Sequence, residues 1–232
     1  MKIKLKPIDR QVMVITGASS GIGRATADLA ARSGATLVLV ARSGDALAEL
    51  SGDITQSGGE AMVVEADVGH REEVERVARS ALQRFGQIDT WVNNAGISIY
   101  GRLDEVSDED NRRLFDTNFW GVVYGSLAAL PHLKRDGGAL INVGSEVSDA
   151  YIPLQGMYSA SKHAVKGFTD ALRIEVQQLD KVPVAITLIQ PTAVDTPFPQ
   201  HARNYMDKEP KLPTPQIDPE TVSYTHLTLP TN

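Results

Sequence analysis

An apolar run, Val12-Met13-Val14-Ile15, leads directly into Thr16-Gly17-Ala18-Ser19-Ser20-Gly21-Ile22-Gly23, and a helical pattern follows from Arg24 to Ser33. Strand, glycine turn and helix in that order constrain the fold more than any other feature of the chain. Gly17 permits a sharp exit from the strand, and Gly21 and Gly23 let backbone N–H groups and the helix N-terminus come close to a pyrophosphate. Taken alone, the same glycines also fit a tight structural turn.

The rest of the chain repeats the alternation. Short apolar runs predict strands over 11–16, 36–41, 61–65, 88–93, 138–144 and 183–189, with helical patterns near 22–33, 44–57, 70–85, 108–134 and 157–179. Continuous apolar strands alternating with helices predict an α/β fold, a doubly wound parallel sheet covered on both faces. No repeat or internal linker divides it, so residues 1–221 read as one domain. In such sheets ligands sit beyond the carboxyl ends of the strands. Gly17, Asp67, Asn93, Ser145 and Pro191 all end or follow predicted strands, so they are expected along one edge.

Composition narrows the function classes. The net charge of −6 argues against a general nucleic-acid binder. There is no cysteine, which removes disulfides, thiolate metal sites and cysteine nucleophiles. The five histidines show no metal-ligand spacing. Apolar runs such as 36–41 are too short to span a membrane, and the basic start, Met1 to Lys6, has no apolar core behind it. The expectation is a cytoplasmic protein with no nucleic-acid or membrane partner.

A second cluster lies downstream. Ser145 follows the run Ala139-Leu140-Ile141-Asn142-Val143, and Tyr158 and Lys162 stand four apart in a helical pattern, facing the same way. Alone, such a pair more often marks a packed ring beside a solvated amine. With Asn118 and Asn93-Asn94-Ala95-Gly96, in this order and spacing, the chain closely resembles the short-chain dehydrogenase/reductase family over residues 10 to about 200. The resemblance implies a Rossmann-type three-layer α/β/α fold and an oxidoreductase acting on CH–OH groups.

Cofactor contacts follow from that resemblance for Gly17, Ser19, Ser20, Gly21, Ile22, Gly23, Asn94, Ala95 and Gly96, and for Tyr158 and Lys162 at the nicotinamide ribose. Asp67-Val68 is expected along the adenine, although Asp67 equally suits a helix N-cap before Arg71. After the second strand the chain reads Val40-Ala41-Arg42-Ser43, with no acid to bond both ribose hydroxyls. Arg42 is suited to a 2′-phosphate, so NADP(H) is expected over NAD(H); a solvated loop cation is the plainer alternative. Pro191, Val194 and Thr196 are expected beside the nicotinamide, but Thr192 stands where the family commonly has glycine.

The resemblance assigns Tyr158 as acid in reduction and base in oxidation. An isolated tyrosine titrates near about 10, and Lys162 is expected to lower that value. Ser145 would polarise the substrate carbonyl, and Asn118 would support a proton relay to Lys162. Ser98, Ile99, Tyr100, Val147, Tyr151, Ile152, Gln155 and Met157 are the expected substrate-facing residues. The substrate would be a small ketone or secondary alcohol. Glu146 and Asp149, which flank Ser145, read as solvated loop carboxylates rather than selectors of a cationic substrate. A noncatalytic NADP-binding sensor is the alternative function, and a methyltransferase with a glycine-rich nucleotide loop a distant third.

Beyond Pro197 the chain is proline-rich, where the family begins a mobile flap. Residues 222–232 show no helical period, and their first part matches a reading frame of a common sequencing-library transposon end. They are therefore expected to be a non-native tail on a chain that lacks its C-terminal elements. A homodimer or homotetramer is implied for the protein with its natural C-terminus.

Overall fold

The computed structural model describes residues 3–228. Six strands form one parallel sheet: β1 (Val12–Thr16), β2 (Thr36–Ala41), β3 (Glu60–Glu65), β4 (Thr90–Asn93), β6 (Gly138–Val143) and β7 (Val184–Ile189). Their order is β3-β2-β1-β4-β6-β7, so the direction of winding reverses between β1 and β4. A ligand crevice is expected at that switch point.

Side-chain alternation builds two cores from the same strands. Val12 and Val14 of β1 and Val38 and Val40 of β2 face α3 (Arg71–Phe85), α5 (Gly121–Asp136) and α6 (Gly156–Ile174). Met13, Ile15, Leu37 and Leu39 face α1 (Gly21–Arg32) and α2 (Gly44–Gln56). Apolar residues at every strand position are therefore required, and β1 is buried throughout. The remaining elements are a two-residue pair, β5 (Ile99–Tyr100) with β8 (Arg203–Asn204), and helices α4 (Asp108–Phe115) and α7 (Pro219–Thr228).

Three sequence expectations are corrected. The helix expected over 108–134 is two helices joined by a π-helical turn, Asp116–Trp120, and it runs on to Asp136. The helix expected over 157–179 likewise closes in a π-helical turn, Glu175–Asp180. A π turn spends one extra residue, which shifts the faces on either side of it. The expectation that the chain ends without a further helix is corrected too, although the segment carries no helical period. Residues 219–228 form α7, where Val222 is buried and the Ser223 hydroxyl meets Thr26 Oγ1 of α1 at 3.1 Å. The apolar face of α7 is too small to give a clear period. Met1, Lys2 and residues 229–232 of the expected tail lie outside the described residues.

Polar side chains cross the centre of the sheet. Asn93 and Asn142 sit in register on β4 and β6, and Asn93 Nδ2 donates to Asn142 Oδ1 at 2.9 Å. Trp91 Nε1 donates to Asn93 Oδ1 at 2.8 Å, and Asn142 Nδ2 to Thr169 Oγ1 of α6 at 2.9 Å. Asn93 also donates to Ser126 Oγ of α5 at 3.2 Å. Helix α5 lies so close here that a Cβ on Gly125 would collide with the Asn93 carboxamide. Asn93 thus turns into the core rather than into the crevice. Replacing Asn142 with Ala removes one hydrogen bond from the Asn93 amide, which keeps Ser126, and one from the Thr169 hydroxyl, which keeps the Val165 carbonyl. The expected cost is about 1–3 kcal/mol, read by urea unfolding.

Candidate active site

The crevice at the switch point opens into a cavity of about 880 Å³. One wall is the loop from β1 into α1. Gly17 and Gly21 have φ of +67° and +53°, and a Cβ on Gly23 would collide with the Gly17 carbonyl oxygen. Ser19, Ser20, Gly21 and Ile22 line the cavity, whereas Gly23 supports the loop from behind. Ser20 occupies the N-cap of α1 but makes no side-chain capping bond. The first N–H groups of the helix are therefore left without the usual side-chain partner.

Thr16 locks this loop to the next strand. Its hydroxyl accepts from Asn94 N at 3.0 Å and Ala95 N at 3.1 Å, while Asn94 Nδ2 donates to the Thr16 and Gly17 carbonyls. A strand-end hydroxyl carries no such signal in sequence, and Thr16 is absent from the expected site. Asn94, Ala95 and Gly96 form the cavity floor beside it.

Arg42 and Ser43 lie at the end of β2. Arg42 is exposed and makes no hydrogen bond or ion pair with a described residue. Ser43 caps α2, accepting from Ala46 N. Asp67 follows β3 and does not cap α3, whose cap position is His70. Its carboxylate instead accepts from Gly69 N at 2.9 Å and from Arg113 Nη2 at 2.6 Å. Burial works to raise the Asp67 pKa, but the bonds from Arg113 and Gly69 outweigh it and hold the group below its ordinary value. Val68 packs against Gly121.

Ser145, Tyr158 and Lys162 meet on the opposite wall. Ser145 begins a single 3₁₀ turn, Glu146–Ser148, closed by a capping box in which its hydroxyl accepts from Val147 N at 3.3 Å. The same hydroxyl and the Tyr158 phenol line one cavity. Burial pushes that phenol up to about 12, while Ser145 draws it back and Tyr100 and then Glu146 add to the rise. The expected lowering by Lys162 is not found. Lys162 Nζ is 5.8 Å from the Tyr158 ring centroid and donates to the Val143 carbonyl at 2.8 Å. Burial pushes Lys162 itself down to about 8. Desolvation outweighs the cation–phenol attraction at this separation.

Asn118 does not line the cavity. It is fully buried in the π turn between α4 and α5, and its carboxamide exchanges two bonds with the Ile97 backbone, at 2.8 and 2.9 Å, and donates to Ser161 Oγ at 3.2 Å. Asn118 and Lys162 flank Gly96: a Cβ there would lie 3.5 Å from Asn118 Oδ1 and 3.8 Å from Lys162 Nζ.

The loop after β7 covers the cavity. Pro191, Val194 and Thr196 line it, and Thr196 packs against Gly21 on the facing wall. The Pro191 carbonyl accepts from Glu146 N at 2.9 Å. Phe198 stands 5.9 Å from Tyr158, centroid to centroid, and His201, Leu212 and Pro213 complete the cover. Sequence gives no signal for these contacts, because proline-rich segments lack a period. Of the expected substrate-facing residues, Tyr100, Val147, Ile152 and Gln155 line the cavity. Ser98 and Ile99 are buried behind it, Tyr151 is 88% exposed, and Met157 is not part of the lining.

The lining suits a dinucleotide. Uncapped helix N–H groups and an unpaired arginine provide two places for phosphate. Thr117 Oγ1 is buried at the cavity wall with no partner among the described residues, and so is available to a polar ligand. No group of His, Asp or Glu among the described residues could hold a metal ion.

The model of the short chain dehydrogenase family matches residues 11–207. The chain belongs to this family. It is 48% identical over 211 residues to the uncharacterized oxidoreductase YxnA of Bacillus subtilis, covering 90% of this chain and 59% of that protein. It is 38% identical over 192 residues to 11-beta-hydroxysteroid dehydrogenase A of Sesamum indicum, covering 82% and 54%. The chain thus spans little more than half the length of these two relatives. An alcohol dehydrogenase from the archaeon Thermococcus sibiricus, complexed with 5-hydroxy-NADP, superposes with a TM-score of 0.84 at 33% identity, covering 96% of this chain and 92% of that one. A short-chain dehydrogenase/reductase from Burkholderia phymatum in complex with NAD gives 0.88 at 28% identity, covering 96% and 86%.

Burying the Lys162 ammonium has a measurable cost. A lysine whose pKa is lowered on folding destabilises the fold fully below about 8, and the penalty disappears as pH approaches the unfolded value. Lys162→Met removes it but leaves the Val143 carbonyl without its donor. We expect the variant to be more stable at pH 7 by on the order of 1–2 kcal/mol. The advantage should shrink between pH 8 and 10, as read by urea unfolding at each pH.

Proposed function

We propose that the chain is an oxidoreductase that interconverts a small ketone and its secondary alcohol, with NADP(H) preferred over NAD(H). The observation that carries this reading is the meeting of Ser145, Tyr158 and Lys162 across one cavity from the glycine loop and Arg42. When bound, the nicotinamide supplies or accepts the hydride. The uncapped start of α1, with Ser19, Ser20, Gly21 and Ile22, would hold the pyrophosphate. Asp67 and Val68 would border the adenine, with Asp67 held ionised and in place by Arg113. Arg42, having no internal partner, would take the 2′-phosphate. The solved relative complexed with 5-hydroxy-NADP is in keeping with that choice, and the one complexed with NAD leaves Arg42 as its main support.

For the carbonyl, Ser145 donates a hydrogen bond to the oxygen, and Tyr158 delivers its proton as negative charge develops there. A phenol whose pKa is pushed up to about 12 keeps its proton at neutral pH, which suits the reducing direction. The phenolate left behind is stabilised by Ser145 and by the ammonium of Lys162. Lys162 uses one of its three donors on Val143, leaving two for the ribose and for proton resupply. Asn118, across Gly96 from Lys162, holds the π turn that shapes this route. We also propose that copies assemble through the helix pair α5 and α6, beside which Trp120 and Leu127 stand exposed.

Two measurements test the reading. Tyr158→Phe should lower kcat on a ketone panel by about 10²-fold or more, while NADP still raises the melting temperature. Substantial residual turnover would remove Tyr158 from its role. Arg42→Asp should reduce the melting shift given by NADP far more than that given by NAD; equal loss for both would assign Arg42 to solvent.

A further inference from the structure

The charges lining the reaction chamber do not cancel. Asp67 is paired with Arg113. Asp149, outside the cavity, is paired with Lys166 and accepts from Gln190 at 2.7 Å. Gln155 is engaged as well: its Nε2 donates to Ser98 Oγ at 2.9 Å. Glu146 differs from all of these. It lines the cavity, and its side chain makes no hydrogen bond or ion pair with a described residue.

The backbone of Glu146 is fixed although its carboxylate is free. The Ser145–Ser148 capping box holds the turn on one side, and the bond from Glu146 N to the Pro191 carbonyl, 2.9 Å, ties it to the loop after β7. The backbone contacts thus hold the turn so that this exposed carboxylate stands one residue from the Ser145 hydroxyl. Glu146 follows Ser145 directly in the chain and lines the same cavity as Tyr158. Around it the walls are apolar, formed by Val147, Ile152 and Phe198.

We infer that Glu146 is a specificity-determining residue that selects ketones or alcohols carrying an ammonium group next to the reacting carbon. The inference rests on the oxidoreductase reading above. An apolar body would pack on Val147, Ile152 and Phe198, the carbonyl oxygen would sit between Ser145 and Tyr158, and the ammonium would meet Glu146. Each part of such a substrate has its counterpart in the wall. A neutral ketone would leave the carboxylate partly desolvated with nothing to offset it.

The test compares α-aminoacetophenone with propiophenone, which differ by an ammonium in place of a methyl group, with NADPH as reductant. The readout is the ratio of their kcat/KM values for wild type, Glu146→Gln and Glu146→Lys. The ratio cancels any change common to both substrates, including one acting through Tyr158. We expect wild type to favour the amino ketone, the ratio to fall about tenfold in Glu146→Gln, and the preference to reverse in Glu146→Lys. Because the side chain is exposed, both variants should fold, with melting temperatures near that of wild type. A ratio that does not change across the three proteins would overturn the assignment of Glu146 while leaving the oxidoreductase reading intact. Wild type that reduces neither ketone, nor any member of a wider ketone panel, would overturn both.

Discussion

The pairing of Asn93 with Asn142 is the contact on which the site depends. Two carboxamides in the middle of a parallel sheet are costly to bury unless both are satisfied. Here each finds partners on the helices above: Ser126 on α5 and Thr169 on α6. The network therefore sets where α5 and α6 lie over β4 and β6, beyond what apolar packing alone would specify. Apolar contacts tolerate sliding; a set of hydrogen bonds of about 3 Å does not. Helix α6 carries Tyr158 and Lys162 at its first turns, and β6 leads to Ser145 at its end. The geometry of those three residues thus depends on amides that never reach the cavity.

A second constraint acts from the other side. The π turn at Asp116–Trp120 places Asn118 inward at the one point where the backbone of Ile97 needs both a donor and an acceptor. A regular helix through the same residues would rotate Asn118 away. The loop after β4 would then lose its anchor, and with it the path of Gly96 between Asn118 and Lys162. The irregular turn is the local departure that allows a helix, a loop and a buried lysine to converge.

Legibility in the sequence followed the range of the interactions. The strands and the glycine loop were readable because their signals are local: an apolar run, a glycine where φ must be positive, a helix beginning at once. The positions of Tyr158 and Lys162 were readable because a helix converts a spacing of four into a shared face. What escaped depends on partners far away in the chain. Thr16 acquires its role only because Asn94 and Ala95 arrive from another strand. Asp67 gave two readings because its true partner, Arg113, is 46 residues away. The π turns left no mark, since their periods differ from an α-helix by a fraction of a residue per turn. Helix α7 was missed because a helix resting on one neighbour needs only a couple of inward residues, here Val222 and Ser223.

Electrostatics separates the two walls of the cavity. Along the dinucleotide wall Asp67 and Arg113 neutralise each other, leaving Arg42 as the free cation at one end. Along the reacting wall Lys162 is buried and Glu146 is the free anion. An extended ligand lying across both walls would therefore meet positive charge at its far end and negative charge near the chemistry. Phosphate is drawn to the first and repelled by the second, so the bound orientation is set before any contact with the ring that reacts. At the reacting end the Lys162 ammonium partly offsets Glu146, so Arg42 would carry most of this discrimination.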